Sequence, residues 1–468
     1  MNIFHKKENI QQHPVEETGE EIVYVEDKSD RFITHAVIFE ILMAGIVFLK
    51  SSAAGTQYLI ALAPMLVITG ILGNYFYQKS ADMKLFAAVC YLVSMGIGVQ
   101  LLIDEIYNPA GSFSLIKYGI AILLAAVFII FYSFFRKILN HRATVYVMMG
   151  VSLSIYLSLV LFGYDPNGYG TSAWISIGPL TLQLTDFTKV SALLFYASLF
   201  SSRYRDNEKT VLLLSTLFLF INAAGSLLIH EMGSLMILFV LHLALLFIFL
   251  EHSKRKRIYL IVIFSMCAFA VLSAFVLYHA LLPSHEAGTL SGISAYIWPI
   301  VRKVYERFSV TANIYNDPYG AGYQLLQGKK ALWMGGLSGN TVNFHAIPVA
   351  ESDMAFVAMI TTLGFPIAFF ALIQLSRIAI RGGEISLKLL RKNPQDAVVA
   401  FGAAAMLFMQ AIIVILGSCN IIPLTGLPIP FLSRGFTYQT ITLCFAGILL
   451  KLSMENEGEM MEVTDEEQ

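Results

Sequence analysis

Several ionisable residues in this chain stand where apolar sequence gives way to polar sequence. In QLTDFTKV, Asp186 and Lys189 are three residues apart, a spacing that puts both on one helical face and lets them pair. IHEMGS places His230 and Glu231 at a tight turn between two apolar runs. The stretch GKKALWMGGLSGNTVNFHAIPVAESDMAFVAMITTLG, residues 328–364, brings Glu351 and Asp353 to the edge of an apolar segment. PLTGLPIPFLSRGF sets Arg434 just inside the last apolar run, behind Pro423, Pro428 and Pro430. Charges at such depth are expensive, so they pair, snorkel or serve a site. Residue type alone leaves the alternatives open. Asp353, next to Ser352, suits a helix N-cap. Asp186–Lys189 suits a purely structural ion pair, Glu231 a solvated loop carboxylate, and Arg434 a headgroup contact. His345 has no partner at metal-ligating spacing.

The elements that must position these groups are membrane helices. Of 468 residues, 57% are hydrophobic and only 13% charged, where a soluble chain carries about 25% charged residues. Mean hydropathy is +0.68. The charges are bunched, leaving apolar runs of roughly 20 residues, the length a helix needs to cross a ~30 Å hydrocarbon core. The reading is an all-α polytopic membrane protein of about twelve spans: 33–50, 57–76, 84–103, 115–135, 144–163, 186–201, 210–229, 232–250, 257–280, 354–378, 398–421 and 431–451.

Short cytoplasmic loops accumulate Lys and Arg. With the N-terminus inside, the inner loops hold Lys79; Arg136, Lys137 and Arg142; Arg203, Arg205 and Lys209; Lys254 to Arg257; and Arg377, Arg381, Lys388, Arg391 and Lys392. Lys50 is the visible cation of the short outer loops. Both termini are therefore expected in the cytoplasm. Residues 164–185 and the long loop 281–353 then lie outside; a loop that long is exempt from the charge rule. Residues 1–32 form a polar segment without a signal-peptide pattern, and 454–468 an acidic, solvated tail. The four cysteines (Cys90, Cys267, Cys419, Cys444) all fall in apolar runs, which argues for free thiols over a disulfide frame or metal cluster. No P-loop, dinucleotide-binding glycine pattern or His-Glu-x-x-His is present, so nucleotide-driven and zinc chemistry have no support. Nothing points to nucleic acid.

Taken together, these segments resemble the SEDS family (shape, elongation, division and sporulation), the RodA/FtsW type. WISIGPLTLQLTDFTK is similar to that family's Trp…Gly…Gln-Pro-Ser-Glu-x-x-Lys element through Trp174, Gly178, Gln183 and Lys189, with Leu184 and Asp186 replacing proline and glutamate. HEMGSLMI resembles its Asp-Leu-Gly-Thr element, with Glu231 for the aspartate. DPYGAGYQLLQGKKALWMGGLSG follows its Gly-Tyr-Gln…Gly-Gly-Leu-x-Gly run through Gly322, Tyr323, Gln324, Gln327, Ala331, Gly335, Gly336 and Gly339. SDMAFV resembles the element carrying the family's proposed catalytic aspartate, which falls on Asp353, and PLTGLPIPFLSRGFTY a last proline-rich element. The matched order covers residues 174 to about 450. Departures are Thr361–Thr362 where the family has two glutamates, Val349 for another, and Arg434-Gly435-Phe436 for Tyr-Gly-Gly. The family usually has three spans before the tryptophan element; this chain has five, 33–163, ahead of a core spanning 164–453.

The resemblance implies a peptidoglycan glycosyltransferase that joins lipid-linked disaccharides (lipid II) at the outer face of the bacterial cytoplasmic membrane, serving elongation, division or sporulation. Asp353 is then the general base. Cations must balance the charge on the departing diphosphate; Arg302, Lys303, Arg307, Lys329, Lys330 and Arg434 are the candidates. Gln324 would help bind substrate, and Gly335, Gly336 and Gly339 would let backbone approach a sugar or phosphate. Trp174, Gln183, Asp186, Lys189 and Glu231 would organise the cavity. No cofactor is required, a divalent Mg or Mn ion could accompany the diphosphate, and no metal-ligand cluster stands in the sequence. The implied partners are lipid II, membrane lipid and a class B penicillin-binding protein transpeptidase, since no soluble cross-linking domain is present. Two other readings compete: a SEDS-like scaffold of weak activity, and a lipid-linked precursor transporter or flippase. No two-half repeat supports the last.

Overall fold

The computed structural model describes residues 30–466, apart from 108–112, 167, 169, 179, 202–206, 252 and 341–346, and without side chains beyond 454. His345, Arg203 and Arg205 lie outside the described residues. The chain is helical almost throughout. Five long helices come first: α1 (Arg31–Lys50), α2 (Ser52–Gln78), α3 (Met83–Tyr107), α4 (Leu115–Leu139) and α5 (Ala143–Phe162). A two-stranded hairpin follows, β1 (Trp174–Ile177) antiparallel to β2 (Leu180–Gln183), with Trp174 opposite Gln183. Then come α6 (Thr185–Leu199), α7 (Glu208–Leu228), α8 (Gly233–Phe249), α9 (Lys254–Glu286), α10 (Gly292–Ala312), α11 (Tyr323–Gly335), α12 (Ala355–Leu363), α13 (Phe365–Leu389), α14 (Pro394–Ser418) and α15 (Phe436–Glu466).

Ten of these helices are long and apolar enough to cross a membrane. The other two expected spans, α6 and α8, have only 15 and 17 residues. α6 compensates by burial: Thr185, Asp186 and almost every later residue of it is enclosed by neighbours. α3 is the axial element of one side of the bundle, with 83% of its apolar window buried. α1 and α2 form a tight hairpin against it. Ser51 is the only residue between them, and its side chain accepts the Ala54 N–H at 3.2 Å. Gly55 makes the close turn possible, because a Cβ there would stand 2.4 Å from the Phe48 backbone. α9 is the opposite case, with only 6% of its apolar window buried.

Three expectations need correction. The single span expected over 354–378 is broken. Gly364 has φ +91°, a conformation glycine takes without steric cost, and Pro366 begins a new helix because proline has no N–H to continue the old one. A nine-residue, fully buried α12 thus ends at Leu363, and α13 carries the span onward to Leu389. The segment 281–353, expected as a long loop, contains the helices α10 and α11. Finally, α15 runs to Glu466, so the acidic stretch written as a tail continues the last helix.

Candidate functional site

Asp353 sits in a turn just before α12, stitched to two other segments. Val349 holds φ +57°, strained for a β-branched residue, and its carbonyl accepts the N–H groups of Ser352 (3.1 Å) and Met354 (3.3 Å). Across from it runs the proline-rich segment 423–435. There the Arg434 N–H donates to the Glu351 carbonyl at 2.7 Å. Ser433 Oγ donates to the Ser352 carbonyl at 2.6 Å and accepts the Ile429 N–H at 2.7 Å. Gln100, on α3, donates from Nε2 to the carbonyls of Leu432 (2.7 Å) and Glu351 (3.1 Å). Gly96, one turn earlier, lets Phe431 approach: a Cβ there would meet the Phe431 carbonyl at 2.0 Å. Three chain segments therefore fix the height of one carboxylate.

That carboxylate is not spent on capping. The N-cap of α12 is Met354, and no side chain caps it. Asp353 instead accepts a hydrogen bond from Gln324 Nε2, on α11, at 3.0 Å. It is 6% exposed. Burial raises its pKa from the usual 3.8 to about 7, against the pull of the Gln324 bond and of the Arg307 guanidinium. A carboxyl poised near neutrality can both take and return a proton.

Arg307, on α10, joins two carboxylates electrostatically, Asp353 and Glu231. Its Nη1 donates to the Thr425 carbonyl at 3.0 Å, which anchors the guanidinium to the proline-rich segment. Glu231 is buried rather than solvated, at 8% exposure. Burial raises its pKa, opposed first by the Ser234 N–H, which reaches it at 3.0 Å, and then by Lys189. Lys189 Nζ lies 2.8 Å from Asp186 Oδ1 and 5.2 Å from the centre of the Tyr438 ring. One alternating row of charge results: Asp353, Arg307, Glu231, Lys189, Asp186.

The remaining expected residues divide. Gln183 bonds to α15 and α6, its N–H to Thr437 Oγ1 and its Nε2 to Thr185 Oγ1, both at 3.3 Å. Trp174 packs with the small cluster of Tyr156, Leu159, Ala173 and Ile229. Arg434 is ion-paired with Asp104 on α3, so its charge is matched within the protein. Arg302 pairs with Glu306 at 2.6 Å, while Lys329 and Lys330 are exposed on α11. Of the expected cations, Arg307 is the one electrostatically coupled to Asp353. Gly335 and Gly339 serve packing: a Cβ would stand 2.7 Å from the Ile360 carbonyl or 2.3 Å from the Thr362 carbonyl. Gly336, at φ +55°, accepts the Phe365 N–H at 3.0 Å and so ties α11 to the start of α13. Thr361 and Thr362 are fully buried and donate their hydroxyls back along α12, to Val357 and Ala358, both at 2.8 Å. Neutral hydroxyls satisfied in this way need no partner outside the helix.

Sequence reasoning missed Gln100, Asp104 and Ser433. Asp104 had a signal, an acid at the end of the apolar run LLIDEIY; the other two act through backbone carbonyls that no spacing rule locates. Among the described residues, no group of three His, Cys, Asp or Glu side chains is placed to hold a metal.

The family model described as "Cell cycle protein" for FtsW, RodA and SpoVE matches residues 83–458. It begins at α3 and leaves α1 and α2 outside the match. A probable peptidoglycan glycosyltransferase FtsW from Pseudoalteromonas translucida is 25% identical over 398 residues, 79% of this chain and 88% of that protein. One from Haemophilus ducreyi is 24% identical over 65% of this chain and 72% of its own length. A chain from a structure titled for coordination of polymerization and crosslinking by a peptidoglycan synthase complex shares the fold, with TM-score 0.60 at 20% identity, covering 80% of this chain and 98% of that one. The Thermus thermophilus rod shape determining protein RodA has TM-score 0.53 at 18% identity, covering 80% of this chain and 97% of that one. With most of its length matched in order, this chain belongs to the FtsW/RodA/SpoVE family of cell cycle proteins.

Proposed function

We propose that this protein is a peptidoglycan glycosyltransferase of the bacterial membrane that polymerises lipid II at its outer face. The observation that carries the reading is the buried Asp353, raised to about 7 and flanked by Gln324 and Arg307. In the reaction, the 4-hydroxyl of one lipid-linked unit attacks the anomeric carbon of the growing chain. The new C–O bond forms as the bond to the lipid diphosphate breaks. Asp353 takes the hydroxyl proton, and the departing diphosphate keeps the bonding electron pair. Arg307, the cation most closely coupled to Asp353, is suited to balance that charge. No resident cofactor is needed for this step. A Mg or Mn ion could accompany the diphosphate, where it would add charge balance beside Arg307, leaving Asp353 to take the proton.

The lysine- and arginine-rich short loops support cytoplasmic termini, which puts the Asp353 end outside. A separate class B penicillin-binding protein would supply cross-linking, a reading supported by the likeness to a chain of a peptidoglycan synthase complex that coordinates polymerization and crosslinking. The test is direct. Purified protein, with and without that transpeptidase, is given lipid-linked disaccharide and assayed for glycan polymer, then compared with Asp353→Ala. Polymer from the unaltered protein alone supports the reading. Equal polymer from both removes Asp353 from the reaction, and none under any condition favours a scaffold.

A further inference from the structure

The α1–α2 hairpin lies outside the family match, yet it packs against the parts that hold Asp353. It is closed from within by Thr69 Oγ1, which donates to the buried Glu40 carboxylate at 2.6 Å. Phe39 carries α1 onto α3 and α13, its ring centre 4.8 Å from that of Tyr91 and 5.3 Å from that of Phe370. On α3 the hairpin takes the face that Ser94 and Gly98 share. The Tyr58 and Ser94 hydroxyls bond at 2.6 Å. A Cβ at Gly98 would stand 3.0 Å from a Val47 methyl and 3.3 Å from Met43 Cε, so the helices close up there. Gly96 and Gln100 are each offset from that pair by two residues, about 200° around a helix of 3.6 residues per turn. They meet Phe431, Leu432 and Glu351. α3 is thus a wall with the hairpin behind it and the Asp353 turn in front.

The hairpin also reaches the helices beside the carboxylate. α11 bears Gln324, and Asp353 stands just ahead of α12. Gly328 lets the two elements meet, since a Cβ there would stand 2.2 Å from Met354 Cε. Their far end is fastened twice: the Asn340 N–H donates to the Thr361 carbonyl at 2.6 Å, and the Phe365 N–H to the Gly336 carbonyl at 3.0 Å. Between these bonds lies Ser338, whose carbonyl accepts a hydrogen bond from the ammonium of Lys50, the last residue of α1. α1 touches α12 as well.

We infer that the α1–α2 hairpin is a positioning element for the transfer step, with Lys50 as its decisive contact. It backs α3 on one side and pins α11 and α12 on the other, so that Gln324 and Asp353 keep their 3.0 Å spacing. The inference rests on the proposed polymerase activity. α11 and α12 have only 13 and 9 residues, too few to hold their shape unaided. Rate depends on that shape, because a misplacement of ~1 Å can cost about 100-fold. Lys50 acts through the Ser338 carbonyl and not at the reacting atoms.

Lys50→Met, made in the full chain, removes the tie while keeping much of the side chain's length. It is expected to lower kcat for glycan polymerisation about tenfold, the scale of one charge-assisted hydrogen bond, with KM nearly unchanged. As the Gln324 bond loosens, the rising limb of the pH profile should move to higher pH, which a merely structural contact would not cause. Lys50→Arg still offers a donor to the carbonyl and should restore both. Hydrogen–deuterium exchange in detergent reads the same event without turnover. The Asn340 and Phe365 amides should exchange faster in Lys50→Met and at the original rate in Lys50→Arg. Tyr58→Phe, which frees the hairpin from Ser94 alone, should move the same quantities less. Unaltered exchange in Lys50→Met, or faster exchange with kcat and pH profile unchanged, overturns the inference. Should the unaltered protein make no polymer, the proposed activity falls, while faster exchange in Lys50→Met would still uphold the pin.

Discussion

Gln324 Nε2 donates to Asp353 Oδ1 across 3.0 Å, joining α11 to the buried carboxylate ahead of α12. Because the bond favours the charged carboxylate, it tunes the group as well as holding it. Removing the carboxylate should remove the chemistry: Asp353→Ala is expected to slow polymerisation at least ~100-fold, the lower end of what a general base contributes. Glycan length on gels, with melting temperature to confirm folding, checks this.

The rate should climb with pH. A base acts deprotonated, so with Asp353 near 7 activity rises through that value and levels above it. Gln324→Ala and Arg307→Gln each remove a group that favours the charged form, so each moves the rising limb toward higher pH. The size expected for the loss of one hydrogen bond is up to about one pKa unit. The stability consequence has a defined sign. The folded pKa lies above the unfolded one, so the contribution is whole below about 3.8 and is lost as pH rises through about 7. Asp353→Asn should therefore raise the melting temperature more at pH 8 than at pH 5.

Asp186 and Lys189 are each nearly inaccessible and lie 2.8 Å apart. Changing either alone, as Asp186→Ala or Lys189→Met, strands a buried charge and is expected to cost about 3–5 kcal/mol. The double change to Leu and Met should cost less than either single one. Thermal melting in detergent distinguishes the cases.

Ser433 clasps two loops through one hydroxyl. Ser433→Ala leaves the Ile429 N–H and the Ser352 carbonyl without that partner, at a cost of about 1–3 kcal/mol. The turn that carries Asp353 should lose its register more than the protein loses its substrate, so kcat is expected to fall with KM nearly unchanged. Initial-rate kinetics on lipid-linked disaccharide provides the check.

The fold was largely legible because lipid imposes one rule, long apolar helices, and the sequence obeys it. Asp353 drew attention for a related reason, as a carboxylate where an apolar run begins is costly, but residue type alone suited it to an N-cap, and only the family resemblance made it the expected base. What escaped was long-range. Gln100 meets the Leu432 carbonyl across 332 positions and Asp104 meets Arg434 across 330, and neither leaves a local pattern. The break at Gly364 was written in LGFP, yet the hydrophobicity on both sides hid it. Gly335 and Gly339 suggested an open backbone for a ligand, but a second helix already occupies that space.

α9 has 33 residues, about 50 Å of helix at 1.5 Å per residue, against a hydrocarbon layer of ~30 Å. It must lean or stand proud, and little protein surrounds it to prescribe which. Through α10 it bears on Arg307, so a thicker or thinner bilayer would load the bond that ties that cation to the Thr425 carbonyl. Reconstituted into lipids of graded acyl length, the protein should have one optimum, and the membrane becomes part of its calibration.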